Sequence, residues 1–193
     1  PYNVTIEYNL IHDIGSELAE KSTNCKGIVV CSGGAGGGNV TGIIIRYNKV
    51  YNCDGRGISL EGIDGNHEVY YNIIFNNGIG NRESSSTWGG LIIQTTTGET
   101  SNVKVFNNVI WANDGFGTGE RANVYVHIRS DSTLTFPFKN NIIGLFQDSG
   151  GYDMWILPQG TFNFESDYNL FYEDSGSKNC IYWYGDIYDF DHV

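Results

Sequence analysis

The chain has 193 residues, and its 22 acidic side chains outnumber its 11 basic ones, which gives a formal net charge of −11. A chain this acidic lacks the basic surface that binds nucleic acid, and no apolar run in it reaches the length of a membrane-spanning helix. We therefore expect neither a nucleic acid nor a membrane as its partner. The length suits one domain with a hydrophobic core, and no linker or change in composition marks a second one.

A short motif centred on asparagine recurs six times along the chain. Its copies are, in chain order, EYNLI, RYNKV, YYNII, FNNVI, KNNII and DYNLF. The shared asparagines are Asn9, Asn48, Asn72, Asn108, Asn141 and Asn169. Because the motif is constant while the intervals between copies are unequal, it indicates a repeated strand-and-corner unit whose loops vary in length.

Strand-like segments precede and follow every copy of the motif. The segments before it are NVTIEY, GIIIRY, HEVYY, NVKVF, TFPFK and FNFES. The segments after it are GIVVC, GISLE, GLIIQ, YVHIR, DMWIL and CIYWY. Both sets are rich in β-branched and aromatic residues and are bounded by Gly, Asp, Asn or Ser, which is typical of strands. Only residues 16–22 (SELAEKS) favour a helix, of one or two turns within a loop.

Two or three short strands in each unit, with no helix to cross between them, can pair only with the same strands of the next unit. Such pairing builds a parallel β-solenoid with coils stacked about 4.8 Å apart. The recurrent asparagine then lies at the bend between two strands, where amides one coil apart can hydrogen-bond to each other. We therefore predict an asparagine ladder along one corner of the solenoid.

The unit V/I-x-x-N/Y-N-x-I, followed by G-I-x-[LIV], covers nearly the whole chain and resembles the repeat of the pectate-lyase-like superfamily. The resemblance implies an all-β, right-handed parallel β-helix of about six coils with variable loops. It also implies a secreted or cell-surface location and a polysaccharide or oligosaccharide partner. Because the chain begins and ends inside repeat units, we expect residues 1–193 to be a single β-helix domain and a fragment of a longer β-helix.

The four cysteines, Cys25, Cys31, Cys53 and Cys180, match no zinc-binding spacing. Cys25 and Cys53 each come shortly before the strand-like segment that follows the motif, in the first and second units. They are therefore predicted to lie one coil apart, either joined as a disulfide or buried as free thiols.

Strand alternation divides the segments that follow the motif into an inner and an outer face. The predicted inner residues are Ile28, Val30, Ile58, Leu60, Leu91, Ile93, Val126, Ile128, Met154, Ile156, Ile181 and Trp183. One predicted outer column contains Val29, Ser59, Ile92, His127, Trp155 and Tyr182. The neighbouring outer column contains Cys31, Glu61, Gln94, Arg129, Leu157 and Tyr184.

This outer face is the predicted functional site. The candidate catalytic residues are Glu61, His127 and Arg129, because carboxylates and imidazoles transfer protons and arginine pairs with carboxylates. The candidate substrate-binding residues are Gln94, Trp155, Tyr182, Tyr184 and Trp88. We expect the aromatic members of this set to pack their faces against sugar rings. The alternative is a solvated β-face on which Glu and Arg side chains attract each other.

The strands before the motif offer an alternative sugar-binding surface. Two residues before the asparagines lie Glu7, Arg46, Tyr70, Phe106, Lys139 and Asp167. Four residues before them lie Thr5, Ile44, Glu68, Lys104, Pro137 and Glu165. A regular column of Thr or Ser, which would be typical of an ice-binding solenoid, is not expected from the sequence.

Two chemistries fit the superfamily that the repeats resemble. A hydrolase requires two carboxyl groups about 5–9.5 Å apart, and Glu61 would need Asp153, Asp64 or a loop acid as its partner. A lyase requires a base and a positive charge that stabilises the enolate, roles for His127 and Arg129 or a bound Ca²⁺. The aspartate motif of the polygalacturonase-like hydrolases and the calcium and arginine pattern of the pectate lyases are both unmatched.

The sequence specifies no certain cofactor. Ca²⁺ is the candidate, since Asp186, Asp189 and Asp191 are close enough in sequence to share an ion. The long loops and the polar outer face favour a polysaccharide-binding β-helix with glycoside hydrolase or polysaccharide lyase activity. The alternative is a non-catalytic carbohydrate-binding, adhesin-type or structural module.

Overall fold

The computed structural model of the chain describes residues 3–15, 25–32, 40–79, 88–113, 121–145, 151–173, 181–183 and 186–188. These residues form short strands joined by turns and bends. In this part of the chain, no helix is long and apolar enough to span a membrane. The helical turns predicted at residues 16–22 lie outside the described residues.

The described residues contain short strands that recur in sets of three. In chain order they are β1 Thr5–Glu7, β2 Leu10–His12, β3 Ile28–Cys31, β4 Ile43–Arg46, β5 Lys49–Tyr51, β6 Ile58–Ile63, β7 Gly65–Tyr70, β8 Ile73–Phe75, β9 Trp88–Thr95, β10 Thr100–Phe106, β11 Val109–Trp111, β12 Arg121–Ile128, β13 Thr133–Lys139, β14 Ile142–Leu145, β15 Tyr152–Pro158, β16 Thr161–Asp167, β17 Leu170–Glu173, β18 Ile181–Trp183 and β19 Asp186–Tyr188. Each coil therefore contributes one strand to each of three sheets.

The three sheets extend side by side along the solenoid. The first has the order β1-β4-β7-β10-β13-β16, and the second has the order β2-β5-β8-β11-β14-β17. The third has the order β3-β6-β9-β12-β15-β18-β19, in which only the last pair is antiparallel. The predicted right-handed parallel β-helix of about six coils is thus confirmed. The short segment after each asparagine forms a sheet of its own, so each coil has three strands.

Inward side chains of all coils form one continuous hydrophobic core. The predicted inner residues that are buried are Ile28, Ile58, Leu60, Leu91, Ile93, Val126, Ile128, Met154, Ile156 and Ile181. Val30 and Trp183, in the first and last coils, are partly buried and pack against this core. The predicted alternation of the third sheet is therefore confirmed, and each coil shields the apolar face of its neighbours from water.

The predicted asparagine ladder lies at the corner between the first and second sheets. Each ladder amide donates from Nδ2 to Oδ1 of the next ladder residue, at 2.9 to 3.1 Å. The second Nδ2 hydrogen is also used, since Asn72 donates to the backbone oxygen of Ile45 at 2.9 Å. Asn48, Asn72, Asn108 and Asn141 are buried, so the ladder supplies partners to amides that water does not reach.

A second ladder, which was not predicted, lies at the next corner. Asn77 Nδ2 donates to Asn113 Oδ1 at 2.8 Å, and Asn113 Nδ2 donates to Asn123 Oδ1 at 3.1 Å. Asn123 Nδ2 in turn donates to Asp153 Oδ1 at 3.2 Å. The signal in the sequence is that Asn77 and Asn113 each follow a ladder asparagine by five residues. Asn123 comes from within β12, so its place depends on the fold.

Cys25 and Cys53 are buried free thiols, so the predicted disulfide is not formed and the alternative applies. The two residues lie in adjacent coils, because the backbone oxygen of Cys25 accepts a hydrogen bond from Gly55 N at 2.9 Å. Burial raises the pKa of Cys53 to about 11, which keeps this thiol protonated and unreactive at neutral pH. Cys31 is an exposed free thiol, and Cys180 lies outside the described residues.

A column of threonines lies on the outer face of the first sheet, contrary to the expectation from the sequence. Thr100 pairs in register with Thr133, and Thr133 pairs with Thr161. The column was missed because β10, β13 and β16 begin earlier than the segments that the motif indicates. It spans three coils, and the rest of the first sheet does not continue it.

Candidate functional site

On the outer face of the third sheet, β12 has a different register from the predicted one, whereas the predicted neighbours Ser59 and Ile92, Glu61 and Gln94, and Trp155 and Tyr182 are confirmed. Tyr125, not His127, pairs with Ile92 and Trp155. His127 pairs with Gln94 on one side and with Leu157 on the other. Arg129 follows the end of β12 and does not occupy the strand position beside Gln94 that was predicted for it.

The predicted register of β12 is wrong by two residues. Side chains alternate between faces with a period of two, so a shift of two residues keeps every inner residue inside and every outer residue outside. The inner set of β12 was therefore predicted correctly while its neighbours along the coil axis were not. In the actual register Arg121 pairs with Trp88 at the start of the two strands.

Part of the outer face is closed to solvent. Ser59, Ile92 and Tyr125 form one outward column and are buried all the same. The face is therefore not the open, flat platform that strand alternation alone suggests. Accessible parts of the face are Val29 in the first coil, the partly buried Trp155 and Tyr182 in the last two coils, and the ends of β6, β9 and β12, where the strands lead into turns.

An open groove of about 420 Å³ lies at these strand ends. Its lining residues are Cys31, Ser32, Glu61, Gly62, Gln94, Thr95, Thr96, Thr97 and Arg129. The groove thus brings together three predicted site residues, Glu61, Gln94 and Arg129. His127, Trp155 and Tyr182 lie elsewhere on the same sheet and do not line it.

Glu61 is held by two cations and a hydroxyl. Its Oε1 lies 2.9 Å from Lys26 Nζ and 2.5 Å from Arg56 Nη1, and Ser59 Oγ donates to it at 2.5 Å. Burial alone would raise the pKa of Glu61, but the hydrogen bonds from Ser59 and Lys26 and the charge of Arg56 lower it to about 2. Glu61 is therefore ionised at neutral pH, which suits a fixed acceptor better than a proton donor.

Lys26 and Arg56 are site residues that were not predicted. They hold equivalent places in adjacent coils, since Gly27 N donates to the backbone oxygen of Arg56 at 2.9 Å. The sequence does contain a signal for them, because each basic residue directly precedes a Gly-Ile pair that begins a third-sheet strand. Their side chains are largely buried against Glu61, so they anchor the carboxylate and leave the groove surface to other groups.

Arg129 lines the groove, and its guanidinium is hydrogen-bonded to the uncharged side chain of Gln94. With its amide oxygen facing the guanidinium, Gln94 accepts hydrogen bonds from Arg129 Nε at 3.1 Å and Nη2 at 2.6 Å. Thr95 Oγ1 accepts from the backbone N–H of Arg129 at 2.9 Å, which fixes the turn that carries it. Because an amide does not neutralise a guanidinium, Gln94 orients the charge of Arg129 and leaves it available to an anion.

The aromatic cluster of Tyr152, Trp155 and Tyr182 lies on the last two coils of the third sheet. Trp155 and Tyr182 have ring centroids 4.4 Å apart with their planes tilted by 43°, and Tyr152 meets Trp155 edge-on at 5.0 Å. Trp155 Nε1 is buried, and no described residue accepts a hydrogen bond from it. Tyr184 lies outside the described residues, and so does the side chain of Trp88, which begins β9.

The alternative surface on the first sheet has the predicted register, but its side chains bond to and stack on one another. Arg46 Nε lies 2.6 Å from Glu7 Oε2 and Arg46 Nη1 donates to the Tyr70 hydroxyl at 2.8 Å. Tyr70 and Phe106 stack with centroids 4.7 Å apart. These contacts tie successive coils together and leave few groups free for a ligand, which favours a structural role.

The acidic residues considered as partners or metal ligands are not gathered at the groove. Asp153 is buried and accepts from Asn123 in the second ladder. Among the described residues, no group of three or more His, Cys, Asp or Glu side chains is placed to hold a metal ion. Asp189, Asp191 and the side chain of Asp186 lie outside the described part of the chain, so the predicted Ca²⁺ ligands stay a prediction.

No protein-family model, no curated protein and no solved structure matches this chain. The features of the chain that bear on its function are the groove, the aromatic cluster and the repeats. The groove and the aromatic cluster lie on the third sheet, and the repeats form the coils that build it.

Proposed function

We propose that the chain binds a polysaccharide along the outer face of its third sheet. The observation that carries the proposal is the open groove into which Gln94 directs the guanidinium of Arg129. The chain has a net charge of −11, and within it the guanidinium gives the groove a positive charge that attracts an anionic or strongly polar group. Threonine hydroxyls and the amide of Gln94 add the neutral hydrogen-bonding groups that sugar recognition uses.

The aromatic cluster extends the proposed binding surface along the coil axis. Trp155 and Tyr182 are tilted against each other, so their rings do not fully cover one another and keep surface for contact with a sugar. Glu61 in the second coil and Tyr182 in the last coil are four coils apart, or roughly 19 Å at a spacing of about 4.8 Å. A ligand that contacts both ends is a chain of several sugars, not a single one.

The repeat pattern supports membership of the pectate-lyase-like superfamily. Three parallel sheets with an asparagine ladder at one corner are what the resemblance leads us to expect of the fold. The superfamily implies a secreted or cell-surface protein that acts on polysaccharides.

Cleavage of the bound chain by elimination is a second candidate function. It is favoured by the placement of His127 and Arg129 in one coil, with both adjacent to Gln94 by register or by hydrogen bond. An imidazole serves as a base near neutral pH, and a guanidinium stabilises the developing enolate. Hydrolysis has less support, because Glu61 is the only carboxylate among the described residues that line the groove, and it stays ionised.

The test is a screen of the chain against neutral and acidic plant and algal polysaccharides by affinity electrophoresis, with and without Ca²⁺. Reducing ends and the ultraviolet absorbance of unsaturated products are followed in the same samples. New reducing ends with absorbance indicate elimination, and reducing ends alone indicate hydrolysis. Binding without either product supports a binding module. If no polysaccharide binds, the proposed function is wrong for this chain.

The groove is tested by Arg129→Gln, with Lys49→Gln as the matched control. Both variants remove one positive charge, but Lys49 is exposed on the second sheet, away from the groove. We expect Arg129→Gln to weaken binding about tenfold or more, because a charge-assisted contact is worth more than 1 kcal/mol. Equal effects of the two variants would mean that binding depends on overall charge and not on the groove.

A further inference from the structure

Three tyrosines, Tyr8, Tyr47 and Tyr71, stack in a column directly beside the asparagine ladder. The ring centroids of Tyr8 and Tyr47 are 5.0 Å apart, and those of Tyr47 and Tyr71 are 5.2 Å apart. The ring planes are nearly parallel, at 5° and 12°. We call these three residues the tyrosine ladder.

The backbone of the tyrosine ladder is strained. Its φ values are 57° at Tyr8, 55° at Tyr47 and 54° at Tyr71, in the left-handed region that bulky residues avoid. Asn107 and Asn140 hold the same place in two later coils, and asparagine tolerates this conformation at lower cost. Stacking offsets part of the strain, yet tyrosine at three consecutive corners also points to a use for the phenols.

All three side chains of the tyrosine ladder are exposed. Tyr8 is 73% exposed, Tyr47 is 41% exposed and Tyr71 is 47% exposed. Tyr47 is stacked on both of its faces, and Tyr8 and Tyr71 each have one face covered by Tyr47. What this ladder offers to solvent is a row of adjacent phenols, each held within reach of the next.

We infer that the tyrosine ladder is a site of oxidative cross-linking, at which adjacent coils are joined by dityrosine. The co-reactant is a one-electron oxidant of phenols, such as a haem peroxidase supplied with hydrogen peroxide. Each of two neighbouring phenols gives one electron to the oxidant and its hydroxyl proton to water, which leaves two phenoxyl radicals.

The two radicals combine through the Cε carbons next to their oxygens, which forms one carbon–carbon bond. Each bonded Cε then loses its hydrogen as a proton, each oxygen regains a proton, and both rings become aromatic again. In total, two protons and two electrons leave the protein, and one hydrogen peroxide is reduced to two waters. Tyr47 has a ladder neighbour on each side, so it takes part in either link, to Tyr8 or to Tyr71.

The test is oxidation of the dilute folded chain with a haem peroxidase and hydrogen peroxide. Dityrosine fluorescence is recorded, and cross-linked peptides are mapped by mass spectrometry after protease digestion. We expect monomeric product in which peptides containing Tyr8 and Tyr47, or Tyr47 and Tyr71, are joined with the loss of two hydrogens. Tyr47→Phe should abolish this intramolecular product, whereas Tyr8→Phe and Tyr71→Phe should each retain one of the two links.

Tyr51→Phe is the matched control. Tyr51 is also stacked, but its partners are His12 and Phe75, so no tyrosine lies next to it in its column. This variant should give as much intramolecular dityrosine as the unmodified chain. The inference is overturned if dityrosine forms only between molecules, if it joins other tyrosines, or if Tyr47→Phe leaves the intramolecular yield unchanged while circular dichroism shows that it is folded.

Discussion

The corner between the first two sheets and the groove at the end of the third sheet belong to the same coils but follow opposite rules. At the corner, one side chain repeats in all six coils, and each amide bonds to the next. On the outer face of the third sheet, equivalent strand positions hold Cys31, Glu61, Gln94, His127 and Leu157, of which the first three line the groove. Repetition stabilises a solenoid, and variation at equivalent positions gives one sheet a chemistry that the others lack.

The largest effect on stability is expected from a substitution in the asparagine ladder at the corner. Asn72→Ala removes an acceptor for Asn48 Nδ2 and donors for Asn108 Oδ1 and the Ile45 oxygen. Because these groups are buried and each loses a hydrogen bond, and the backbone N–H of Asn48 loses its acceptor as well, we expect the free energy of unfolding to fall by about 3 kcal/mol or more. Urea unfolding followed by circular dichroism measures the loss.

Asn102→Ala is the control for the corner. Asn102 Nδ2 donates to Asn66 Oδ1 at 3.2 Å, but this pair lies on the outer face of the first sheet. Its loss should cost less than about 1 kcal/mol. Similar losses for Asn72→Ala and Asn102→Ala would contradict the view that the buried ladder stabilises the coils.

A smaller, pH-dependent effect is expected at the groove. The ordinary pKa of 4.5 for Glu61 falls to about 2 in the folded chain, so the unfolded chain takes up this proton first as the pH falls. The contribution of Glu61 to stability is therefore complete above pH 4.5 and is lost as the pH falls towards 2. The difference corresponds to roughly 3 kcal/mol as an upper bound.

Glu61→Gln tests this dependence by urea unfolding between pH 7 and 2. The advantage of the unmodified chain over the variant should shrink across the interval from pH 4.5 to 2. Glu68→Gln is the control at pH 7, since Glu68 pairs with Lys104 on an exposed surface at 3.3 Å, and it should change stability by less than about 1 kcal/mol. A constant gap between the Glu61→Gln curve and that of the unmodified chain would show that Lys26 and Arg56 do not stabilise the carboxylate.

The regular parts of the molecule are those that the sequence predicts well. The repeated motif predicts the coils, the asparagine ladder and the inner face, because each of these requires the same type of residue in every coil. The second ladder was missed because Cys53 takes an asparagine position in one coil and Asn123 reaches another from inside a strand. A search for repeated motifs detects neither of these two departures from the pattern.

The candidate site was predicted less completely, for three physical reasons. Strand alternation predicts the face on which a side chain lies but not its neighbour in the next coil. In the structure His127 therefore lies beside Gln94, and Arg129 lies beyond the end of β12. The burial of Ser59 and Ile92 on the outer face depends on how the coils and turns come together. Lys26 and Arg56 contact Glu61 from two adjacent coils, so the sequence shows their equivalent places but not their shared contact with this carboxylate.

The most direct test of the proposed binding face uses Cys31 as a reporter. This thiol is free, exposed and part of the groove lining, and Cys180→Ser removes the one cysteine outside the described residues. The rate of Cys31 alkylation by iodoacetamide is measured with and without the tightest-binding polysaccharide from the screen. We predict that saturating polysaccharide slows alkylation severalfold. An unchanged rate with polysaccharide bound would mean that the ligand lies on another face, which would contradict the assignment of function to the third sheet.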